Sequence, residues 1–273
     1  MTISRRLALG CASAFAVTGG SAQLSVASVL KSISTASSPV SSRNVQTAQL
    51  FQEMLIHRDE TGQQPYMAVI SLAAPDTRWF DICTLEDFKF RVLNHDYQKH
   101  GYRLRRVSAF NTRLGVRYAA LWELASGPDW QSVYAMPLAK FEKASDDLKQ
   151  RGYRMTHIDA RVNYAAIWEK GDTTSQQVFP SLTLLEYEQQ YSILTAQGFR
   201  PHRISMSAQG SVPSFAAIFE KATVVPWQSN HQMTATQFRN TIVTAKAHGY
   251  RLTDASGYML GGKATFTGIW DKA

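Results

Sequence analysis

Two residue types recur along this chain at positions where they could do chemistry. Arg103, Arg154, Arg200 and Arg251 each follow a glycine–aromatic pair, while Glu123, Glu169, Glu220 and Asp271 each follow a large aromatic: Trp122, Trp168, Phe219 and Trp270. A guanidinium facing a carboxylate can clamp a carboxylate or amide ligand, or it can close a structural ion pair across two strands. The placement favours the ion pair, because each arginine opens one strand and each acid ends its antiparallel partner. The second recurring type is tryptophan. Trp79, Trp130 and Trp227 offer flat faces that could stack on sugars or extended peptides, or could seal the junction between adjacent units. These three are the candidate ligand-binding residues.

Other reactive side chains form no constellation. Motifs of the His-x-x-x-His, Cys-x-x-Cys, Gly-x-Ser-x-Gly and phosphate-loop types are absent, so no catalytic residue, metal site or cofactor is assigned. His57, His95, His100, His157, His202, His231 and His248 occupy non-equivalent places. Ser28 and Lys31 have the spacing of a Ser-x-x-Lys nucleophile pair, but the surrounding sequence lacks the rigid helix that such a pair needs. Cys83 is the single thiol after Cys11, which excludes stapling of the mature chain by an internal disulfide.

The elements that must position these residues repeat. The glycines at 101, 152, 198 and 249 step by 51, 46 and 51 residues, a period typical of tandem arrays. The markers around them keep one order: Trp79, Trp130, Gln176 or Trp227, then Phe90, Phe141, Tyr187 or Phe238, then the glycine, then the aromatic–acid pair. Before the glycine the pattern is helical. Tyr187, Tyr191 and Leu194 fall at i, i+4 and i+7, and Thr183 with Glu186 and Thr234 with Gln237 have capping-box spacing. Each glycine stands where a helix ends on a residue of positive φ. After it the side chains alternate, with Tyr102, Leu104, Arg106, Ser108 and Phe110 on one face and Val116, Tyr118, Ala120 and Trp122 on one face of the returning strand. The unit is an extended segment, a helix and a long hairpin. Shortening of the second hairpin accounts for the 46-residue step and places the hairpin tips, such as Asn111–Gly115 and Gly257–Gly262, in solvent.

The expected fold class is therefore α+β, a β-rich array whose strands form a curved or barrel-like sheet with helices outside. Its repeat domain spans 49–273, with a partial capping unit at 49–75 and full units at 79–125, 130–171, 175–222 and 227–273.

Composition narrows the partners. A hydrophobic content of 44% over 273 residues can fill a core. Arg5, Arg6, Lys31 and Arg43 precede the first acid, Glu53, and carry half of the formal +8 charge. The remainder holds no dense basic stripe, so a nucleic-acid partner is not expected. Residues 1–22 combine Arg5 and Arg6 with an apolar run from Leu7 to Val17 and small residues toward Ala22. This is the pattern of an export signal, too short for stable membrane insertion, with a mitochondrial presequence as the alternative. Residues 23–48 read as a disordered linker. A secreted or extracytoplasmic location follows.

The Gly-Tyr-Arg-Leu/Met stretch paired with Tyr-Ala-Ala-Leu/Ile-Trp-Glu resembles the bacterial and fungal tandem repeat in the N-terminal region of polyglycine hydrolases and related secreted serine hydrolases. The matching stretches are Gly101–Leu104 with Tyr118–Glu123, Gly152–Met155 with Tyr164–Glu169, Gly198–Arg200 with Phe215–Glu220, and Gly249–Leu252 with Phe266–Asp271. The resemblance implies a β-rich repeat domain with external helices, serving as an accessory to a separate β-lactamase-like domain that holds the nucleophile. The chain ends at Ala273 after its last repeat, and no catalytic residue carries over. The expectation is a stand-alone module that binds or positions a peptide or cell-wall glycan, with a separate hydrolase as a further partner. Two alternatives stay open: a small hydrolase with a triad assembled from distant residues, and a structural or inhibitory domain that binds a protein.

Overall fold

The computed structural model describes residues 52–58, 65–71, 79–112, 115–171, 174–209, 212–221, 225–260 and 263–273, without the side chains of 52–84, 110–112, 209 and 259–260. The export signal, the linker and the Ser28–Lys31 pair lie outside these residues, as do parts of the hairpin tips. A hairpin of β1 (Gln52–Arg58) and β2 (Pro65–Ser71) comes first. Unit one is β3 (Trp79–Glu86), α1 (Asp87–Lys99), β4 (Tyr102–Thr112) and β5 (Gly115–Leu124). Unit two is β6 (Trp130–Met136), α2 (Leu138–Gln150), β7 (Tyr153–Asp159) and β8 (Tyr164–Lys170). Unit three is β9 (Gln176–Leu182), α3 (Leu184–Ala196), β10 (Phe199–Gln209) and β11 (Val212–Lys221). Unit four is β12 (Trp227–Thr234), α4 (Ala235–Ala247), β13 (Tyr250–Leu260) and β14 (Lys263–Lys272).

Local chemistry sets the helix ends. Thr183 and Glu186 cap α3 reciprocally, and Thr234 and Gln237 do the same for α4, while Pro137 starts α2 without a side-chain cap. At the other ends, Gly101, Gly152, Gly198 and Gly249 adopt φ of +81°, +81°, +78° and +73°, a region that costs glycine nothing. His100 and His248 bring Nδ1 to 2.8 Å from the carbonyl oxygens of Asp96 and Thr244 in the last turn.

Each helix covers its own sheet through the same three rings. Phe90 stacks on Tyr118, Phe141 on Tyr164, Tyr187 on Phe215 and Phe238 on Phe266, with centroids 4.7, 4.6, 4.9 and 5.2 Å apart. The third ring, Trp122, Trp168, Phe219 or Trp270, tilts against the helix aromatic at 5.9, 5.9, 6.3 and 6.1 Å. Such pairs add about 0.5–1.5 kcal/mol beyond their burial, and here the arrangement recurs four times.

The returning strand of each hairpin becomes the centre of a three-stranded antiparallel sheet, because the Trp-bearing segment pairs with its second edge. Both faces of that strand are buried, which is why the Tyr-Ala-Ala-Ile-Trp pattern is apolar throughout. Tyr118, Ala120 and Trp122 pack under α1, whereas Ala165 and Ile167 of unit two turn back into the core of unit one. Ala216 and Ile218 enter the core of unit two in the same way, and Ile269 enters that of unit three.

The expectation of one curved or barrel-like sheet is corrected: the units keep four separate three-stranded sheets, and none is closed into a barrel. The inner strands β4, β7, β10 and β13 neighbour one another in sequence, and β2 neighbours both β13 and β4. These five strands surround a common axis without forming a ladder. The reason lies in what meets each inner edge. Side chains of the following unit occupy its backbone groups: Asp254 accepts from the Ile204 amide at 3.0 Å, Ser256 from Met206 at 2.9 Å, and Ser205 from Ala160 at 3.0 Å. An edge satisfied by side chains is closed to strand addition.

A bulge also revises the alternation expected for the inner strands. Register shifts occur between Leu104 and Arg106, Met155 and His157, Pro201 and Arg203, and Leu252 and Asp254. One extra residue exchanges the faces beyond it. Leu104, Val107 and Ala109 therefore share the helix-side core, and Arg106 and Ser108 turn to the axis.

Candidate functional site

The three candidate tryptophans are placed differently. Trp130 is 6% exposed and sits in the core of unit one, although it belongs to unit two. Trp227 is partly buried at the start of β12, and the side chain of Trp79 lies outside the described residues, as does that of Cys83. Gln176, the counterpart in unit three, donates from Nε2 to the Met155 carbonyl oxygen at 2.7 Å. Beside Trp130 lies a cleft of about 140 Å³, lined by Asn94, His95 and Gln98 on α1 and by Trp130, Gln131 and Tyr134 on β6. The bulge that places Ala135 at φ 52° lies next to Tyr134, whose ring meets Phe90 edge-on at 4.8 Å. Asn94 accepts from the buried Trp122 Nε1 at 2.9 Å, so the floor of the cleft is tied to the core.

The recurring arginines and acids form a chain through the molecule. Register sets Arg103 opposite Glu123, Arg154 opposite Glu169, and Arg200 opposite Glu220. The guanidiniums nevertheless reach into the following unit: Arg103 bonds Glu169 at 2.8 Å, Arg154 bonds Glu220, and Arg200 grips both oxygens of Asp271 at 2.8 and 3.1 Å. Glu123 is bound instead by Arg105, which also bridges to Glu169. Arg251 stands opposite Asp271 in register, with Nε unbonded among the described residues. Burial would raise the Glu220 carboxyl, but His202 at 2.9 Å and the nearby Arg154 and Arg200 hold it below its ordinary value. Burial drives the His202 imidazole down to about 3.

The sequence reading gave no role to Arg106, Asp159, Arg161 or Arg203 at the axis. Arg106, His157, Arg203 and Asp254 occupy equivalent positions five residues after the glycine, and Ser108, Asp159, Ser205 and Ser256 follow two later. Arg106 reaches across to the Thr253 carbonyl oxygen at 3.3 Å, and Arg161 reaches Ser256 at 3.4 Å. Arg161 Nε lies 3.3 Å from Asp159, and Arg203 Nε lies 4.0 Å from Asp254. His157 Nε2 sits 2.8 Å from the Val107 carbonyl oxygen, and burial holds its imidazole neutral, well below the ordinary histidine range. Burial also raises the Asp159 and Asp254 carboxyls. The available signal was the three-residue step from Leu104 to Val107 and from Met155 to Ile158, which breaks strict alternation and marks the bulge. Lysines just after the acids were also missed: Lys221 and Lys272 lie over Phe199 and Tyr250 at 4.7 and 4.9 Å and donate to the Gln197 and His248 carbonyl oxygens.

A family model described as the polyglycine hydrolase-like structural repeat matches residues 87–124, 127–171, 181–222 and 224–273. The chain belongs to this family. Each matched stretch carries one helix and one hairpin of the polyglycine hydrolase-like repeat, so the family pattern and the three-ring core coincide. No curated protein matches the chain. Among the described residues of this repeat protein, no cluster of three or more His, Cys, Asp or Glu is arranged to hold a metal ion, and no helix is long and apolar enough to cross a membrane.

Proposed function

We propose that this polyglycine hydrolase-like repeat chain is a secreted, non-catalytic module that binds a peptide or cell-wall glycan at the cleft between its first two units. The supporting observation is the cleft between α1 and β6. It presents the exposed amides of Gln98 and Gln131 and the imidazole of His95, with the buried Asn94 and Trp130 and the Tyr134 ring as its walls. Amide donors and acceptors in a cleft match the hydrogen-bonding groups of an extended peptide or a sugar chain. The basic, acid-free leader and the family membership support export and an accessory role beside a separate hydrolase.

Titration of the full chain with glycine-rich peptides and with soluble peptidoglycan and chitin fragments, followed by calorimetry, tests this reading. Saturable binding weakened about tenfold by Gln98→Ala or Gln131→Ala, both on exposed positions, is the expected result. Absence of binding across the panel, or binding indifferent to both substitutions, would overturn it.

A further inference from the structure

The charges at the axis do not balance. Arg106, Arg161 and Arg203 converge there on Asp159 and Asp254, and Asp254 acts electrostatically on all three guanidiniums. The side chains of Arg161 and Asp159 are 10% and 5% exposed, and those of Arg203 and Asp254 are 13% and 10% exposed. Arg106 has no acid within 4.0 Å among the described residues; its guanidinium donates only to the carbonyl oxygens of Arg105 and Thr253. Among the described residues, Arg161 Nη1, shielded from solvent, makes no hydrogen bond, and Arg203 Nε makes none either. His157 adds no negative charge. Outside this centre Arg103, Arg154 and Arg200 each have a carboxylate partner in the following unit.

We propose that the axis of the ring is a binding site for one small monovalent anion, a halide or a simple carboxylate, held by Arg106 and Arg161 with Arg203 behind them. Glu220 and Asp271 also act on Arg203 but are engaged by Arg154 and Arg200. Among the described side chains at the axis, three guanidiniums set against two carboxylates leave a single positive excess, and a monoanion cancels it. A buried charge without a counter-charge is among the most costly features a fold can retain, and donors without acceptors add to the cost. Desolvation and the neighbouring Arg203 depress the Arg106 guanidinium to about 9, which still leaves it charged at neutral pH. Burial raises both carboxyls, and protonation of either would enlarge the excess. The anion would be shared by units one, two and three, with unit four contributing Asp254 and Ser256 as the wall opposite. It would therefore hold the inner strands together where no ladder does.

The test uses the full chain at constant ionic strength, with sodium bromide replacing sodium gluconate, a much bulkier, heavily hydrated anion. The midpoint of thermal unfolding should rise saturably, by about 5–10 °C at a hundredfold excess of bromide over Kd. Crystals grown in bromide should show an anomalous peak within hydrogen-bonding distance of Arg106 and Arg161. Arg161→Gln should abolish the bromide-dependent rise, whereas Arg151→Gln, on an exposed helix-end arginine, should leave it intact. Asp159→Asn removes a competing carboxylate without changing shape, and it should tighten bromide binding by about tenfold or more. A purely internal ion-pair network predicts the opposite, a loss of stability in Asp159→Asn that bromide does not restore. A midpoint that follows ionic strength alone, an unaltered rise in Arg161→Gln, weaker binding in Asp159→Asn, or an axis without an anomalous peak would each overturn the proposal. Should Arg161→Gln fail to fold, the diffraction experiment and Asp159→Asn decide the matter. Acetate in place of bromide then distinguishes an axis open to carboxylates from one restricted to halides.

Discussion

Replacing Arg200 tests whether the units are joined by their arginines. The side chain is 7% exposed, and its two terminal nitrogens hold the two oxygens of Asp271 in the next unit at 2.8 and 3.1 Å. Its contact with Glu220 of its own hairpin is a single approach of Nε at 3.7 Å. At an effective dielectric near 20 the Asp271 contact is worth about 6 kcal/mol gross, most of which is offset by desolvation of the two ions. Removing one partner strands the other, so Arg200→Ala should cost about 3–5 kcal/mol in urea unfolding. Double-mutant cycles separate the two acids. Arg200→Ala with Asp271→Ala should show a coupling of about 2–3 kcal/mol, and Arg200→Ala with Glu220→Ala less than about 1 kcal/mol. Arg200→Lys keeps the charge but loses the fork, and it should recover no more than about half of the stability. Fluorescence of Trp270, adjacent to Asp271, reports the transition in unit four. A Glu220 coupling equal to or larger than that of Asp271 would refute inter-unit bridging and return the arginine to its own repeat.

Three further outcomes follow from the same geometry. Asn94→Leu leaves Trp122 Nε1 buried without an acceptor and should cost about 1–3 kcal/mol by chemical denaturation. Gly268→Ala places a Cβ 2.6 Å from Trp270 Cη2 and 3.0 Å from Phe238 Cε2, so it should destabilise by about 1–3 kcal/mol, even though Ala120, Ala166 and Ala217 occupy the equivalent places in the other units. Stability should fall as pH drops below about 6.5, because His157 and His202 are held neutral in the fold while the unfolded chain protonates them. Both folded values are depressed, so this contribution is complete above the unfolded pKa and is lost toward the folded values, about 3 for His202. The limiting slope is about 2.7 kcal/mol per pH unit for two protons, reduced where the raised Asp159 and Asp254 carboxyls titrate in the opposite sense. Urea midpoints measured from pH 8 to 4 should show the loss, and His202→Gln should flatten it.

The sequence by itself determined the unit. Thr183 with Glu186, Thr234 with Gln237, and the glycines at 101, 152, 198 and 249 carry their conformational requirements locally, so helix ends and hairpin starts could be read from spacing. The aromatic markers were legible for a similar reason, since a ring at the helix and two on the returning strand are needed to close each small core. Tertiary structure decided everything that depends on which unit meets which. Register placed Arg200 opposite Glu220, yet the neighbouring unit brought Asp271 nearer and with both oxygens in line. A single bulge residue turned Arg106 and Ser108 to the axis, where period-2 alternation had set them with Leu104. Separate sheets replaced the expected barrel because Asp254, Ser256 and Ser205 satisfy the inner edges from the side. Local geometry is encoded within a few residues of chain, whereas the partners of an edge, a charge or a cleft are chosen by contacts some 50 residues apart, and spacing alone leaves those undetermined.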